Sequence, residues 1–156
     1  KMLVGLISDT HGLLRPEVFD RLAGVDRILH AGDVGPADLL IELEAIAPVT
    51  AVWGNTDGFD VRARVPERAV VELEGWTIVV VHGHQFGSPT PELLREAFPE
   101  ADIIVYGHTH RAVLNRTGKK LVINPGAAGP PRFRLTPSVA LLTLERGSAD
   151  ARIVDL

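Results

Sequence analysis

Short apolar segments rich in β-branched residues alternate with helix-like segments in the first third of the sequence. Apolar runs of strand length predict β-strands over residues 2–7, 27–30 and 49–52. Proline near the start and apolar residues at helical spacing predict helices over residues 16–22 and 36–46. Because strand and helix alternate, we expect right-handed crossovers and a parallel sheet.

The rest of the chain predicts further strands joined mainly by tight turns. Residues 69–73 and 76–82 form a predicted hairpin, and a helix over 92–97 and a strand over 102–106 follow it. The second half is then predicted to be antiparallel, with hairpins that pair 112–116 with 120–123 and 139–144 with 151–154. Two packed β-sheets with helices outside would cover these apolar faces, so we expect an α/β protein. The 156 residues fit one domain, spanning residues 1–156.

The composition restricts the classes of function. The chain has no cysteine, which excludes disulfides and thiolate metal sites and favours a cytoplasmic location. It has no run of about eighteen apolar residues, so no membrane span is predicted, and its first residues lack the pattern of a secretory signal. The net charge of −4 argues against a stable nucleic-acid complex, which normally needs a basic face. A small phosphate substrate is compatible with this charge, since metal ions can offset it locally.

Clusters of Asp, Asn, His and Gly follow the predicted strands, at the points where the strands end. The clusters lie at residues 8–12, 30–33, 53–58, 82–84 and 107–110, and every histidine of the chain lies within them. Ligand sites of open α/β sheets form at the carboxyl ends of the strands. We therefore expect these clusters to converge on one site.

The residue types in the clusters are those of a metal site. Residues i and i+2 of an extended segment point to the same side, so Asp9 with His11 and His108 with His110 are two predicted chelating pairs. Carboxylate and imidazole groups bind Mn, Fe, Ni, Co and Zn. Two such ions about 3.5–4 Å apart can clamp a phosphoryl group and activate a water. Each motif alone also fits a turn or a hydrogen-bonded histidine, but their conjunction at strand ends favours the metal site.

As a set, the motifs resemble those of the calcineurin-like metallophosphoesterases. The matching segments are Asp9-x-His11, Gly32-Asp33, Gly54-Asn55-x-Asp57, His82-Gly83-His84 and Gly107-His108-x-His110. A later segment, Asn124-Pro125-Gly126, resembles a turn of the family's compact bacterial and archaeal phosphodiesterase branch. The retromer subunit Vps29 is also similar to that branch. The resemblance implies a four-layer αββα sandwich, in which helices flank two mixed β-sheets.

The resemblance also implies a binuclear metal centre, with Mn²⁺ expected and Ni²⁺, Fe²⁺, Co²⁺ or Zn²⁺ as alternatives. One ion would be held by Asp9, His11 and His110, the other by Asn55, His82 and His108, and Asp33 would bridge them. The predicted reaction is hydrolysis of a small phosphodiester or nucleotide-like substrate by a hydroxide between the ions. The predicted catalytic residues are Asp33, Asn55 and His84, and the predicted substrate contacts are Asn55, His84 and Arg132.

Two positions depart from the family pattern and leave alternatives open. Thr56 stands where many members have a histidine that protonates the leaving group, so the general acid is open, with His84 as one option. Ala127 stands where the branch often has serine, so any hydrogen bond there must come from the backbone. A phosphomonoesterase and a non-catalytic, Vps29-like scaffold are the alternative functions. The complete ligand set favours an enzyme, and the acidic charge argues against a nuclease.

Several residues near the clusters have structural interpretations. Asp57 is predicted either to support the ligands or to cap a turn or helix. His30 is interpreted as a core histidine whose hydrogen bonds are satisfied, and Trp53 and Trp76 as core residues. Residues 62–64 are interpreted as the solvated face of a strand.

Overall fold

Two β-sheets of five strands each form the interior of the protein, which a computed structural model describes over residues 1–156. The strands are β1 (Met2–Ile7), β2 (Arg27–His30), β3 (Val49–Ala51), β4 (Arg68–Leu73), β5 (Trp76–Val81), β6 (Ile103–Val105), β7 (Val113–Thr117), β8 (Lys120–Asn124), β9 (Ser138–Glu145) and β10 (Ser148–Asp155). The helices are α1 (Pro16–Arg21), α2 (Asp38–Glu44), α3 (Phe59–Arg62) and α4 (Pro91–Ala97), with a 3-10 turn at His84–Phe86. None of these helices has the length and apolar character needed to cross a lipid bilayer.

The first sheet has the parallel arrangement that the alternation of strand and helix predicts. Its strand order is β10-β9-β1-β2-β3. β1 and β2 are parallel with Val4 opposite Arg27, and β2 and β3 are parallel with Ile28 opposite Val49. The antiparallel hairpin of β9 and β10 completes the sheet beside β1.

The second sheet, in the order β4-β5-β6-β8-β7, is mixed, and its hairpin of β7 and β8 is antiparallel as predicted. β6 is parallel to its neighbour β8, with Ile103 opposite Leu121, a pairing that the sequence pattern does not specify. The residues of β8 are almost all buried, while those of β7 are half-buried or exposed. An apolar strand is more stable inside a sheet and a polar strand at its edge. The hairpin of β7 and β8 therefore docks with β8 against β6.

The buried apolar residues form three layers of packing, and these confirm the predicted four-layer sandwich. A cluster that includes Val4, Leu6, Ile78 and Ile103 lies between the two sheets. A second cluster joins the outer face of the first sheet to α1, α2 and α3. A third joins the outer face of the second sheet to α4, where Leu94 is fully buried. Alternate residues of the strands serve the two faces, as the pleat requires.

Two short elements lie where the sequence does not predict them. α3 has four residues, and the 3-10 turn that begins at His84 has three. Elements this short contain too few turns for an apolar periodicity to be detected. The interpretation of residues 62–64 as a strand face is wrong, because Arg62 ends α3 and the chain turns after it.

The loops that follow the strands of both sheets meet at one edge of the sandwich. The backbone N–H of His108 donates to Asp9 Oδ2 across the two sheets, at 3.1 Å. Nδ1 of His82, after β5, lies 2.8 Å from the carbonyl oxygen of Ala31, after β2. The strand-end clusters therefore converge as predicted.

Candidate metal centre

Asp9 lies at the centre of this edge, and its two carboxylate oxygens have different surroundings. Oδ2 accepts hydrogen bonds from the Ser8 hydroxyl at 2.6 Å and from the His108 backbone N–H. Oδ1 is buried and has no hydrogen-bond partner in the protein. Since a buried carboxylate oxygen is costly without a partner, Oδ1 is oriented for a ligand that the protein itself does not provide.

Histidine nitrogens surround that oxygen. Oδ1 of Asp9 lies 3.3 Å from Nε2 of His110, 3.7 Å from Nε2 of His11 and 3.9 Å from Nε2 of His82. Two groups of ligand atoms each fall within 4.8 Å, one formed by Asp9, His11 and His110 and the other by Asp9, Asp33 and His82. Asp9 belongs to both groups, a shared position that the sequence does not predict for it.

Asp33 also lies between the two groups. Its Oδ1 accepts a hydrogen bond from the Thr56 backbone N–H at 2.9 Å. Its Oδ2 lies 3.2 Å from Nε2 of His82 and 3.7 Å from Nε2 of His11. This geometry is compatible with the predicted bridging position of Asp33.

The orientation of His82 suits a metal ligand. Its Nδ1 donates to the Ala31 carbonyl, which fixes the ring and leaves the lone pair on Nε2. Nε2 is buried and has no hydrogen-bond partner. The ring centroids of His108 and His84 lie 5.3 and 5.4 Å from that of His82. The structure therefore brings His108 beside His82, although His108 is outside the two close groups of ligand atoms.

The backbone of this site is not the extended backbone that the two predicted chelating pairs require, although Asp9 and His11 do lie in one group of ligand atoms. Asp9, His11, Asp33, His108 and His110 all have φ between 45° and 71°. In this left-handed region the chain turns at each residue, and His108 faces His82 while His110 faces His11. Strained backbone of this kind persists where surrounding contacts fix it, typically at functional sites.

The pKa values reflect the close contact of carboxylates and imidazoles. Burial opposes ionisation of Asp9, but the nearby imidazoles of His11 and His110 outweigh it and hold the pKa of this carboxyl below its usual range. Burial likewise opposes ionisation of Asp33, yet the contact with His82 lowers its pKa to about 2. Both carboxylates are therefore charged at neutral pH, as cation ligands must be.

The outer histidines differ in their electrostatics. Contact with Asp9 raises the pKa of His11, although burial and the charge of Arg132 act in the opposite direction. Arg132 itself is exposed, on the loop before β9. Burial and the neighbouring His82 lower the pKa values of His84 and His108.

Asn55 lies in the loop after β3, which contacts Asp33. Asn55 is exposed, and its neighbour Thr56 is hydrogen-bonded to Asp33. Asp57 accepts from the backbone N–H groups of Gly35 at 3.1 Å and Gly54 at 2.8 Å. Asp57 thus joins the loops that carry Asp33 and Asn55. Its predicted supporting position is consistent with these contacts, and it does not cap a helix.

The Asn124-Pro125-Gly126 turn fixes the loop that carries His108 and His110. The buried Asn124 amide donates to the Gly107 carbonyl and to the Thr109 hydroxyl, both at 3.1 Å. Next along the chain, the backbone N–H of Gly129 donates to the Asp9 carbonyl at 3.1 Å. Ala127 is hydrogen-bonded through its backbone carbonyl, which accepts from the Ser138 N–H. Ser8 and Asn124 are thus supporting residues to which the strand-end motifs alone assign no function.

His30 and the tryptophans occupy supporting positions. His30 is fully buried, and both its ring nitrogens are hydrogen-bonded, Nδ1 to the Gly32 N–H and Nε2 to the Thr10 hydroxyl, each at 3.1 Å. Trp76 is buried between the sheets, as predicted. Trp53 is only partly buried, and its ring centroid lies 5.7 Å from that of His84.

We expect His30 to make stability depend on pH. Burial lowers its pKa from 6.5 to about 4, so between these values the unfolded chain binds a proton that the native chain does not. Acidification from pH 6.5 to 4 should therefore weaken the metal-free protein by up to about 3 kcal/mol through this group. Urea unfolding across this range measures the free energy of unfolding of the wild type and of His30→Asn. The difference in favour of the wild type should become smaller as the pH falls. A constant difference would contradict this assignment.

The site fits divalent cations. Asp9 Oδ1 and His82 Nε2 are buried ligand atoms without partners. A Cβ atom at Gly107 would lie 2.5 Å from Asp9 Oδ2, so only glycine lets the backbone pass this close to the ligand. Ionised carboxylates and imidazoles of this kind are oxygen and nitrogen ligands for transition metals.

An α/β sandwich with buried Asp and His side chains at the strand ends is compatible with a metal-dependent phosphoesterase. Comparisons with known proteins agree with this class. The chain belongs to the calcineurin-like phosphoesterase superfamily, whose domain matches residues 2–147. The resemblance found in the sequence motifs is thereby confirmed.

Individual relatives cover almost the whole chain. It is 37% identical over 160 residues to a probable metallophosphoesterase of Methanothermobacter thermautotrophicus. The alignment covers 98% of this chain and 92% of that protein. Among solved structures, Vps29 of Entamoeba histolytica in complex with zinc superposes with a TM-score of 0.78 at 28% identity, covering 99% of both chains. A novel archaeal phosphodiesterase superposes with a TM-score of 0.75 at 26% identity, covering 98% of this chain and 100% of that chain.

Proposed function

We propose that the protein is a phosphodiesterase that hydrolyses small phosphodiesters at a binuclear metal centre. The observation that carries this proposal is the unpartnered, buried Asp9 Oδ1, which faces the imidazoles of His11, His82 and His110. The similarity to an archaeal phosphodiesterase supports the diester specificity. When bound, two divalent ions would neutralise phosphoryl charge and lower the pKa of a water so that it attacks phosphorus.

The proposed ligand sets start from the two groups of side chains and add Asn55 and His108, which lie outside both groups. Asp9, His11 and His110 would hold one ion, Asn55, His82 and His108 the other, and Asp33 would be shared. The protein fixes these ligands in advance through Ser8, Thr56 and the Ala31 carbonyl. Such outer contacts orient the ligands and reduce reorganisation when the substrate binds. Mn²⁺ is the proposed native metal. The cytoplasmic location favoured by the absence of cysteine stays a prediction.

The substrate would approach from the side of the exposed Asn55 and Arg132. The Asn55 amide can donate to a phosphoryl oxygen, and the Arg132 guanidinium supplies positive charge beside His11. His84 lies next to His82 and His108, within reach of a substrate oxygen on that side. Burial lowers the pKa of His84, so its imidazole is better suited to hydrogen bonding than to proton donation. We therefore propose a preference for esters with good leaving groups.

Metal removal and His110→Ala test this function. Purified protein should lose hydrolysis of bis-p-nitrophenyl phosphate after chelation and regain it with Mn²⁺. His110→Ala removes a nitrogen 3.3 Å from Asp9 Oδ1, so we expect more than the about 100-fold loss that outer contacts can cause. Arg111→Ala, at an exposed neighbouring position, is the matched control and should keep full activity. Activity that ignores chelation, or that survives His110→Ala undiminished, rejects the proposal.

A non-catalytic scaffold is the second candidate, because the fold superposes on Vps29 over 99% of the chain. The scaffold predicts no hydrolysis of phosphodiesters or phosphomonoesters with any of several added metals. Screening both ester classes with Mn²⁺, Ni²⁺ and Zn²⁺ separates the scaffold, the phosphomonoesterase and the phosphodiesterase.

A further inference from the structure

The loop that carries Asn55 is held from the solvent side by one residue, Arg62. Nε of Arg62 donates to the Asp57 carbonyl at 2.7 Å, and a terminal nitrogen donates to the Asn55 carbonyl at 3.4 Å. α3 follows this loop directly, and Arg62 is the last residue of α3. The guanidinium therefore closes the loop between Asn55 and α3 into a fixed turn.

The same guanidinium lies over an aromatic ring of the site. Its central carbon is 4.1 Å from the centroid of the Trp53 ring, well inside the range of a cation–π contact. The centroid of the Trp53 ring is also 5.7 Å from that of the His84 ring. Arg62, Trp53 and His84 thus form a continuous stack from solvent to the metal ligands, which we term the Arg62 stack.

The contacts of Arg62 do not serve an ordinary surface ion pair. Arg62 forms no ion pair with a carboxylate. The one arginine that does so in this structure is Arg116, which pairs with Asp150. The donors of Arg62 go instead to two backbone carbonyls while its central carbon lies over the indole ring. A planar guanidinium can make these contacts together, whereas the ammonium of lysine cannot.

Asp57 holds the same loop from the inside. Its carboxylate accepts hydrogen bonds from the backbone N–H groups of Gly35 and Gly54, and its backbone carbonyl accepts one from the Arg62 side chain. Asn55 has an exposed side chain and lies between these two restraints. The direction of its amide therefore depends on both.

We propose that Arg62 is a positioning residue, which sets the Asn55 ligand and the His84 ring through the Arg62 stack. This inference rests on the proposed function. Arg62 does not touch the substrate or an ion, and its effect passes through Asn55 and Trp53. Without it, Asn55 would sample several directions, and the ion held by Asn55 would bind less tightly.

The first test compares metal binding and kinetics of Arg62→Ala, Arg62→Lys and Arg64→Ala. Titration with Mn²⁺ should show one of the two ions weakened by about 10–100-fold in Arg62→Ala, with the other unchanged. The kcat for bis-p-nitrophenyl phosphate should fall by a similar factor, while KM changes little. Arg62→Lys should resemble Arg62→Ala. Arg64→Ala removes the same charge from an exposed position nearby and should match the wild type.

Chemical rescue provides the second readout. Arg62 is exposed, so free guanidinium ions can enter the space left in Arg62→Ala. Guanidinium chloride at low millimolar concentration, far below denaturing levels, should restore part of the kcat and of the metal affinity. Ammonium chloride should not.

The outcomes separate this inference from the proposed function. A wild type that neither binds Mn²⁺ nor hydrolyses the diester rejects the function itself. A functional wild type with Arg62→Ala equal to Arg64→Ala overturns only the inference. Full activity of Arg62→Lys also overturns it, because charge alone would then suffice. Arg62→Ala could also lower activity by unfolding the protein, which a fall in its melting temperature would reveal. In that case Arg62→Lys, which keeps the charge and most of the side chain, decides between loss of positioning and loss of folding.

Discussion

Replacement of Asp33 by asparagine should reduce hydrolysis of bis-p-nitrophenyl phosphate by about 10³-fold, equivalent to about 4 kcal/mol of transition-state stabilisation. Asparagine has the same size and keeps an oxygen for the Thr56 N–H, so the loop contact at Oδ1 survives. What disappears is the negative charge at Oδ2, which lies between Nε2 of His82 and Nε2 of His11. Both proposed ions lose charge neutralisation at once.

A thermal measurement distinguishes lost metal binding from damaged folding in Asp33→Asn. Without added metal, the variant should melt close to the wild type. Mn²⁺ should raise the melting temperature of the wild type, because it binds the native state, and the variant should lose this rise. Asp38→Asn changes an exposed acid in the first turn of α2 and should behave as wild type. Activity within tenfold of wild type, together with an intact metal-induced rise, would rule out a shared ligand at this position.

The residue types of the site could be predicted from the sequence because they follow recognisable strands. Asp9, Asp33 and His82 come within three residues of the ends of β1, β2 and β5, and parallel strands end at a common edge. Local pattern and one rule of sheet topology are sufficient for that convergence. They do not determine the path of the backbone within the site.

The left-handed conformations of the site depend on contacts between distant parts of the chain. Asp9 has φ of 52° and is held by hydrogen bonds to the backbone of Gly32 and Gly129. Both contacts come from residues distant in the sequence, so the local pattern around Asp9 and His11 predicts an extended backbone instead. The same holds for β8, whose place beside β6 depends on competition between strands for the sheet interior. Arg62 could not be assigned either, because its contact with Trp53 requires the unpredicted α3.

Replacement of Gly54 by alanine should destabilise the protein by about 3 kcal/mol or more, which is a fall of about 6–12 °C in melting temperature. A Cβ atom at Gly54 would lie 2.2 Å from Asp33 Oδ1 and 2.5 Å from the Asp33 backbone nitrogen. The first contact could be relieved by a side-chain rotation, but the second involves backbone, so one of the two loops must move. Movement breaks the hydrogen bonds from Thr56 to Asp33 and from Gly54 to Asp57.

Gly58→Ala is the matched control for Gly54→Ala, because it adds the same methyl group to the same loop. Gly58 has φ of −90°, which alanine adopts freely, and the nearest atom to its added Cβ is 3.7 Å away. We expect Gly58→Ala to remain within about 1 kcal/mol of the wild type. Equal stabilities of the two variants in urea unfolding would contradict the close approach of the loops. If Gly54→Ala is less stable and also fails to bind Mn²⁺ while folded, then the contact between these loops is what aligns Asp33 with Asn55. In that case the ligand geometry depends as much on the absence of a side chain at Gly54 as on the ligands themselves.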